Sequence, residues 1–319
     1  MKRTSSVFSH LYLRLSLTDR CNLNCVYCNP DKCLDEIDLS NSLNREEIVF
    51  LCSVLIQNGL RHIRLTGGEP LLRQDLIEIV SDIRNLHENL DISLTTNGTL
   101  LAGKCQELKE AGLSRINVSL DSFERERFAD LTGCDRLNAV LEGIKEARKH
   151  DLAPVKLNWV LMNATSLEHI PDAIKQAHRM GTTIRFIEYM NHPGWDNAIE
   201  DTITCSQIYD YLTQYYTLTS SDCAIGMGPA RYYFIKETGG EIGLIHSGTT
   251  QICETCNRIR ITHDGQLIIC IKSEQKYNIR PLLIQERYDD LVNVLHTALK
   301  DKKSIDRVGL SSPLYAIGG

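Results

Sequence analysis

The part of the sequence best suited to chemistry is a group of cysteines near the N-terminus. Cys21, Cys25 and Cys28 have the spacing C-x3-C-x2-C. Three clustered thiolates suit a four-iron cluster in which each sulfur binds one iron and the fourth iron stays uncovered. An uncovered metal position is typical of catalytic sites, because a structural zinc site closes its tetrahedron with four ligands. The alternative is a zinc site completed by Cys33 or a histidine.

A second group of cysteines lies near the C-terminus. Cys253, Cys256 and Cys270 have the spacing C-x2-C-x13-C, and the Asp264-Gly265 turn separates two strand-like runs between them. A zinc ribbon needs a fourth ligand close to the third, but Cys270 is the last cysteine of the chain. The group therefore predicts a second iron-sulfur cluster that also has an uncovered iron.

Two arginines follow this second group. Arg258 and Arg260 are two residues apart, so on a strand their side chains share one face. Guanidinium groups beside a metal recognise phosphate or carboxylate well, because each can donate two parallel hydrogen bonds. The alternative is a pair of solvated arginines on an exposed strand.

Composition excludes several classes of protein. The chain has 319 residues, of which 42% are hydrophobic, and a net charge of −6, which gives no general affinity for nucleic acid or anionic membranes. No apolar run has the length of a membrane span. Twelve cysteines without a secretion signal predict a reducing compartment, so we expect a cytoplasmic protein with cysteines as ligands or core residues.

Short segments with period-two alternation predict strands, and the segments between them predict helices. In the first strand, Leu13 and Leu15 oppose Arg14 and Ser16. The predicted strands lie within 11–17, 61–66, 91–96, 115–120, 154–162 and 183–190, and the predicted helices within 44–57, 73–87, 125–149 and 167–179. This alternation predicts an α/β fold of parallel units. We expect a partial (βα)6 TIM-like barrel over about 11–190, with polar strand faces inside and the site at the strands' C-terminal ends.

Two further segments organise the chain. The sequence TGGEP at 66–70 follows the second predicted strand, and its two glycines allow backbone to approach a ligand closely. The sequence NHPGWDN at 191–197 has the composition of a linker. We therefore expect a barrel domain over 1–190 and a C-terminal α+β domain over 191–319. This second domain, with a hairpin formed by 231–236 and 241–247, is expected to close the open side of the barrel.

These motifs carry a resemblance. C-x3-C-x2-C with Tyr27 before the third cysteine, followed by TGGEP, resembles the radical S-adenosylmethionine (SAM) superfamily. The combination of LRLSLTDRCN, RLTGGEPLLR, NVSLDS, VKLN, RFIEYM, CNRIR and a terminal Gly-Gly is similar to the GTP 3′,8-cyclase family of molybdenum cofactor biosynthesis.

The resemblance implies an activity. Members of this family carry two 4Fe-4S clusters, and the N-terminal one cleaves SAM to a 5′-deoxyadenosyl radical. This radical abstracts the 3′ hydrogen of GTP, after which C3′ attacks C8 of guanine. The product is (8S)-3′,8-cyclo-7,8-dihydroguanosine 5′-triphosphate, and the enzyme is a lyase. The C-terminal cluster binds the guanine.

The resemblance also implies roles for individual residues. The cluster ligands are Cys21, Cys25 and Cys28 for the first cluster, and Cys253, Cys256 and Cys270 for the second. The residues that meet SAM are Tyr27, Gly68, Ser119 and Met190. Those that meet GTP are Arg14, Arg64, Thr95, Lys156, Arg185, Arg258, Ile259 and Arg260. The terminal Gly318 and Gly319 enter the active site in this family. Asn29 and His62 depart from it, since relatives usually carry Met and often Lys there.

The implied partners are GTP, a reductant such as flavodoxin or ferredoxin, and a downstream cyclic pyranopterin monophosphate synthase. The oligomeric state stays open, with a homodimer as one option. Two other functions compete with the cyclase. A peptide-modifying radical enzyme would carry more C-terminal cysteines and no arginine pair at Cys256. A non-catalytic zinc or iron-sulfur interaction protein would leave TGGEP and the polar strand faces without a role.

Overall fold

The computed structural model describes residues 8–28, 41–162, 167–190, 202–221, 227–246 and 256–302. The chain divides into two compact units. The first unit comprises Met1–Thr96, Gln106–Ser114 and Asn257–Gly319, and the second comprises Asn97–Cys105 and Arg115–Cys256. None of the helices in the described ranges has the length and apolar character that a membrane span requires.

The described part of the first unit contains six strands. They are β1 (Tyr12–Ser16), β2 (His62–Thr66), β3 (Asp91–Thr96), β10 (Arg258–Ile261), β11 (Gln266–Ile268) and β12 (Lys276–Asn278). Their order is β12-β11-β10-β1-β2-β3. Strands β1, β2, β3 and β10 pair in parallel, whereas β11 and β12 are antiparallel to their neighbours. The predicted turn at Asp264-Gly265 joins β10 to β11, and Gly265 has a φ of +85°.

Within the ranges that the structure describes, the second unit also contains six strands. They are β4 (Arg115–Ser119), β5 (Val155–Leu161), β6 (Thr183–Glu188), β7 (Leu218–Ser221), β8 (Arg231–Ile235) and β9 (Gly240–Ile245). Their order is β4-β5-β6-β9-β8-β7, with β4, β5, β6 and β9 in parallel. Strands β8 and β9 form the antiparallel hairpin predicted from the sequence.

The helices in the described ranges lie between these strands along the chain, apart from the last two, which follow β12. They are α1 (Arg45–Gln57), α2 (Leu76–Leu86), α3 (Cys105–Glu110), α4 (Arg125–Thr132), α5 (Leu137–Lys149), α6 (Ile170–Arg179), α7 (Cys205–Leu212), α8 (Arg280–Ile284) and α9 (Tyr288–Asp301). The single helix predicted over 125–149 is wrong, because α4 ends at Thr132 and the next residue, Gly133, caps it in the left-handed conformation with a φ of 70°. Helix α3 has only six residues, and its first residue, Cys105, lies in a stretch whose sequence is also helix-like.

Burial follows the predicted pattern in each unit. Every residue of β1 is buried, and Leu13 and Leu15 are completely inaccessible. The polar residues of β1 are also buried, with Arg14 9% exposed and Ser16 2% exposed. Cys52 and Cys105 are buried as well, which agrees with the expectation that some cysteines are core residues. Burial raises the pKa of the Cys52 thiol to about 12 and that of Cys105 to about 11, so both are neutral core side chains.

Arg73 anchors the loop that follows β2 to the loop that follows β1. Its side chain is 4% exposed. The guanidinium donates to the carbonyl of Leu17 at 3.0 Å and to that of Leu43 at 2.8 Å. It also forms two parallel hydrogen bonds to the Asp75 carboxylate at 2.7 and 3.0 Å. One buried side chain therefore satisfies two backbone carbonyls and joins the segment that follows β2 to the segment that follows β1.

We predict that Arg73→Met lowers the free energy of unfolding by about 2–4 kcal/mol, because two buried carbonyls lose their donor. Chemical denaturation under anaerobic conditions measures the change. The matched control is Arg45→Met, which breaks a comparable bidentate pair with Asp82 at the surface, where the Arg45 side chain is 39% exposed. The control should lose less than about 1 kcal/mol. Equal losses in the two variants would contradict the anchoring role.

Candidate active site

The N-terminal cysteine group lies just beyond the C-terminal end of β1. Cys21, Cys25 and Cys28 are all half-buried, and the Cys28 amide donates to the Cys25 carbonyl at 2.9 Å, which closes a turn. The Tyr27 side chain between them is buried. None of the nine cysteines within the described ranges forms a disulfide. The sulfurs therefore belong to a short loop at the strand end, where the sequence predicted a cluster.

The TGGEP loop packs backbone to backbone against the segment that leads into the cysteines. The Gly68 amide donates to the Thr18 carbonyl at 2.7 Å, and the Glu69 amide donates to the Arg20 carbonyl at 2.6 Å. A Cβ atom on Gly68 would lie 2.1 Å from the Arg20 oxygen, and one on Gly67 would lie 2.5 Å from the Thr18 oxygen. Only glycine permits this approach, so the two motifs hold each other in place.

Three arginines meet at one level of the first unit. In the register of the sheet, Arg14 of β1 lies opposite Arg64 of β2 on one side and Arg260 of β10 on the other. All three side chains are buried, with exposures of 9%, 7% and 8%. Burial, followed by the charges of Arg260 and Arg64, holds the pKa of Arg14 well below its ordinary value. The Arg64 guanidinium also lies 5.2 Å from the centre of the Tyr12 ring.

Other predicted substrate residues of the first unit lie on β10 and on β3, the strand next to β2. Arg258 begins β10 and is half-buried, and Ile259 beside it is buried. The Thr95 hydroxyl on β3 is buried and has no hydrogen-bond partner in the part of the chain that the structure describes. A buried hydroxyl of this kind has the capacity to bond a polar ligand or a water molecule. His62 is half-buried and its Nδ1 lies 3.1 Å from an Asp91 carboxylate oxygen.

In the second unit, Lys156 of β5 is paired with an aromatic residue. Its Nζ donates to the Tyr232 hydroxyl at 2.8 Å and lies 4.7 Å from the centre of the Tyr232 ring. Burial is the main cause that lowers the pKa of Lys156, and the charges of Arg185 and Arg115 lower it further. Burial would raise the pKa of Tyr232, but Arg185 and Lys156 together bring it below the ordinary value.

Arg185 of β6 is held by two amide side chains. Its Nη2 donates to Oδ1 of Asn117 at 2.6 Å and to Oδ1 of Asn158 at 2.5 Å. Gly243 of β9 lies opposite Arg185 in the register, and a Cβ there would lie 2.7 Å from the Arg185 Cγ. Because Gly243 has no side chain, the Arg185 side chain has room to extend past it. Arg185 is 4% exposed.

The remaining predicted residues fall in different parts of the chain. Ser119 is the last residue of β4 and Met190 follows β6; both are half-buried in the second unit. Cys256 precedes β10 and Cys270 follows β11, and each is half-buried. Cys253, Gly318 and Gly319 lie outside the described residues.

Sequence reasoning missed the residues that position the cations. Asn117, Asn158 and Tyr232 contact Arg185 or Lys156, yet each is an ordinary strand residue in the sequence. A period-two pattern gives only the face on which a side chain lies. Asn158 could have been suspected, because it lies on the same strand face as Lys156. Tyr232 is 76 residues from its partner, and no local signal identifies it.

Comparison with known proteins places the chain in a family. Residues 15–202 match the model of the radical SAM superfamily, and residues 182–307 match the model described as Molybdenum Cofactor Synthesis C. A GTP 3′,8-cyclase of Listeria welshimeri is 41% identical over 278 residues, which cover 86% of this chain and 83% of the relative. A GTP 3′,8-cyclase of Limosilactobacillus fermentum is 38% identical over a match that covers 96% of this chain and 94% of the relative.

The chain belongs to the GTP 3′,8-cyclase family. The prediction of a radical SAM enzyme of molybdenum cofactor biosynthesis is confirmed, and so are the predicted cofactors, SAM and 4Fe-4S clusters. The α/β fold class of this cyclase is confirmed too. A crystal structure of Streptococcus suis SuiB bound to SAM superposes with a TM-score of 0.63 at 16% identity, over 90% of this chain and 68% of the other.

We predict that Gly68→Ala disturbs the packing of the TGGEP loop on the segment that leads into the cysteines, because the added Cβ displaces the Arg20 carbonyl from its hydrogen bond to the Glu69 amide. Equilibrium binding of SAM to the reconstituted protein should weaken by at least about tenfold, the equivalent of 1.4 kcal/mol. The matched control is Gly103→Ala, since a Cβ at Gly103 meets nothing within 4 Å. Iron content and SAM affinity should be unchanged in the control. Undiminished SAM binding by Gly68→Ala would contradict the packing argument.

Proposed function

We propose that the chain converts GTP to the 3′,8-cyclised nucleotide and that the buried arginines of the first unit hold the triphosphate. The observation that carries this proposal is the register of Arg14, Arg64 and Arg260 on three adjacent strands. A triphosphate carries roughly four negative charges at neutral pH, so it complements a group of guanidiniums brought together in a buried position. Its arrival would raise the pKa of Arg14 back toward the ordinary value, because each negative charge offsets its neighbours' repulsion.

The first unit also offers residues that fit the cofactors. We propose Cys21, Cys25 and Cys28 as cluster ligands, since they are half-buried in one loop and free of disulfides. The Gly67-Gly68 backbone, packed beside that loop, is proposed to meet SAM together with Tyr27. When bound, the cluster and SAM supply a carbon radical that removes the 3′ hydrogen of GTP. The protein residues bind and orient the nucleotide so that C3′ faces C8.

For the second unit the supporting observations are separate. Lys156 and Arg185 are buried cations that donate hydrogen bonds to neutral groups of Tyr232, Asn117 and Asn158. We propose that both cations contact GTP as well, in agreement with their places in the family's motifs. Ser119 and Met190 are proposed to contact SAM. Both follow from the resemblance, and their positions at strand ends agree with it.

A second cluster completes the proposal. Cys253, Cys256 and Cys270 are proposed as its ligands, with Arg258, Ile259 and Thr95 among the residues that contact GTP. The buried Thr95 hydroxyl supports a polar ligand beside β3. The Gly318-Gly319 tail is proposed to support cyclisation rather than SAM cleavage, as in the family.

The partners and the domain division follow from the family. The reaction needs a one-electron donor, such as flavodoxin or ferredoxin, and a cyclic pyranopterin monophosphate synthase would consume the product. A division between a barrel domain over 1–190 and a cluster-binding domain over 191–319 is proposed on the same grounds. The cytoplasmic location predicted from composition stays a prediction.

We predict that the reconstituted protein, incubated anaerobically with SAM and dithionite, converts GTP but not ATP, CTP or UTP. The 3′ hydrogen leaves GTP, and a proton and an electron enter during reduction of the cyclised radical, so the product is an isomer of GTP. Because GTP and the product have the same mass, chromatography has to separate them before mass spectrometry. GTP deuterated at C3′ should pass its deuterium to 5′-deoxyadenosine, which tests the site of abstraction directly.

The control for this assay is Cys21→Ala, which should form no 5′-deoxyadenosine with any nucleotide, because the first cluster loses a ligand. Deuterium transfer from another position of GTP would contradict the proposed chemistry. If SAM is cleaved but no nucleotide is converted to a product, the proposed substrate is contradicted.

We predict that Arg260→Gln raises the KM for GTP by about 30-fold or more, since losing a buried partner of a phosphate costs about 2 kcal/mol or more. Without GTP, its melting temperature should equal or exceed that of the wild type, because removing Arg260 relieves repulsion on Arg14. Arg260→Lys keeps the charge but not the guanidinium fork, so its KM should be intermediate.

The matched control for the arginine is Arg45→Gln, an exposed arginine of the same unit. It should leave the KM for GTP unchanged. Iron content should be equal in all of these variants. A normal KM in Arg260→Gln, or a melting temperature well below that of the wild type, would assign Arg260 to the fold rather than to the triphosphate.

A further inference from the structure

Three side chains with metal-ligating atoms converge in the second unit, apart from the residues assigned to GTP and SAM. Glu188 is the last residue of β6, His246 follows the last residue of β9, and Cys205 is the first residue of α7. Strands β6 and β9 are parallel, with Ile187 opposite Ile245, so the next residue of each strand emerges at the same edge. The sheet register thus brings a carboxylate and an imidazole together.

The distances among these groups are short. Nδ1 of His246 lies 3.2 Å from Oε1 of Glu188. The Cys205 amide donates to the same carboxylate oxygen at 2.8 Å, which fixes the start of α7 against the end of β6. The possible ligand atoms of the three residues all lie within 4.8 Å of one another. Ligands around tetrahedral zinc lie about 3.3–3.8 Å apart, given bonds of 2.0–2.3 Å. Small side-chain rotations would therefore close the site.

Two of the three ligands are partly exposed, so the site can be reached from solvent. Cys205 is completely buried, and its Sγ lies 3.6 Å from the carbonyl of Phe186. The side chains of Glu188 and His246 are 13% and 18% exposed, so an ion can approach from their side. Burial, with a contribution from Glu188, raises the pKa of the Cys205 thiol to about 12. Without a metal the thiol is therefore neutral, and a cation would have to displace its proton.

We propose that Glu188, Cys205 and His246 form a binding site for one divalent transition metal, and that zinc is the metal it takes. The donor set contains one sulfur, one imidazole nitrogen and one carboxylate oxygen. Sulfur disfavours magnesium and calcium, whereas a mixed set of this kind suits zinc in tetrahedral geometry. The fourth position would belong to a water molecule. The site would fasten the start of α7 to the ends of β6 and β9.

The competing explanation is that these groups serve only the fold. Glu188 would then act as a cap for the first amide of α7 and as an ion-pair partner of His246. The cap does not require Cys205 to have a thiol, because the backbone amide makes the bond. A carboxylate can also serve both purposes, since one oxygen accepts the amide while the other binds the metal. Removal of the thiol therefore separates the two explanations.

The test uses the protein with both iron-sulfur clusters assembled, incubated with zinc chloride and passed through a desalting column. Zinc per chain is measured by plasma mass spectrometry, and X-ray absorption at the zinc edge reports the ligands without interference from iron. We expect roughly one zinc ion per chain, with a single sulfur at about 2.3 Å and the other ligands at about 2.0–2.2 Å. Zinc in an unfilled cluster site would instead show three sulfurs.

The variants are Cys205→Ala and His246→Asn, and each should lower the bound zinc by at least about tenfold. The matched controls are Cys105→Ala, another buried thiol of the second unit, and His150→Asn, whose Nε2 lies 3.4 Å from a Glu146 carboxylate oxygen. Both controls should keep the zinc. Helical circular dichroism confirms that each variant is folded.

The proposal is overturned if zinc content is the same in the wild type and the two site variants, or if the absorption spectrum shows only sulfur ligands. Absence of zinc from the wild type would overturn it as well. None of these results depends on GTP or SAM, so the fate of the cyclase assignment does not affect this test.

Discussion

The mutual repulsion of buried guanidiniums is the electrostatic constraint around which the first unit is arranged. Parallel strands place residues of equal register side by side, so Arg14 cannot avoid Arg64 and Arg260. Repulsion between like charges is stronger in a buried position than in water, and the lowered pKa of Arg14 reflects both burial and these neighbours. The fold must overcome this unfavourable term before any ligand binds. A bound anion would relieve this repulsion. Part of the free energy of anion binding therefore comes from positive charges that the fold has already placed together.

The rigidity that this arrangement needs comes from backbone contacts. The amides of Gly68 and Glu69 donate to the carbonyls of Thr18 and Arg20, so the segment entering the cysteine loop is bonded to the TGGEP loop. The completely buried Glu69 carboxylate accepts a hydrogen bond from the Thr96 hydroxyl at 2.7 Å, which links this loop to the end of β3. Because backbone atoms make most of these contacts, the geometry depends on the absence of side chains at two glycines. It is therefore more sensitive to an added methyl group than to changes at the surface.

Local patterns predicted the six parallel strands β1 to β6 and the strand faces that carry Arg14, Arg64 and Lys156. The hairpin and the turn at Gly265 were also predictable, because each has its own turn residues. Contacts made by tertiary packing were not predictable. The break after α4 depends on one left-handed glycine within a periodic run. Cys205 had no interpretable spacing in the sequence, since its neighbours Glu188 and His246 are 17 and 41 residues away and meet it only after β6, β9 and α7 assemble.

The choice of partners around the buried cations explains how an acidic chain can keep local positive charge. Arg73 lies against a carboxylate, Asp75, and the pair is close to neutral, which suits an anchor for backbone carbonyls. Arg185 and Lys156 donate hydrogen bonds to amide and hydroxyl oxygens, which help to fix the position of each cation and carry no formal charge.

Carboxylates in place of those oxygens would hold the same geometry, but they would compete with an incoming phosphate. Neutral acceptors therefore position a cation for an anionic ligand, whereas acidic ones confine it to a structural role. The neutral contacts of Arg185 and Lys156 thus agree with the proposal that both cations bind a nucleotide, in a chain whose net charge is −6.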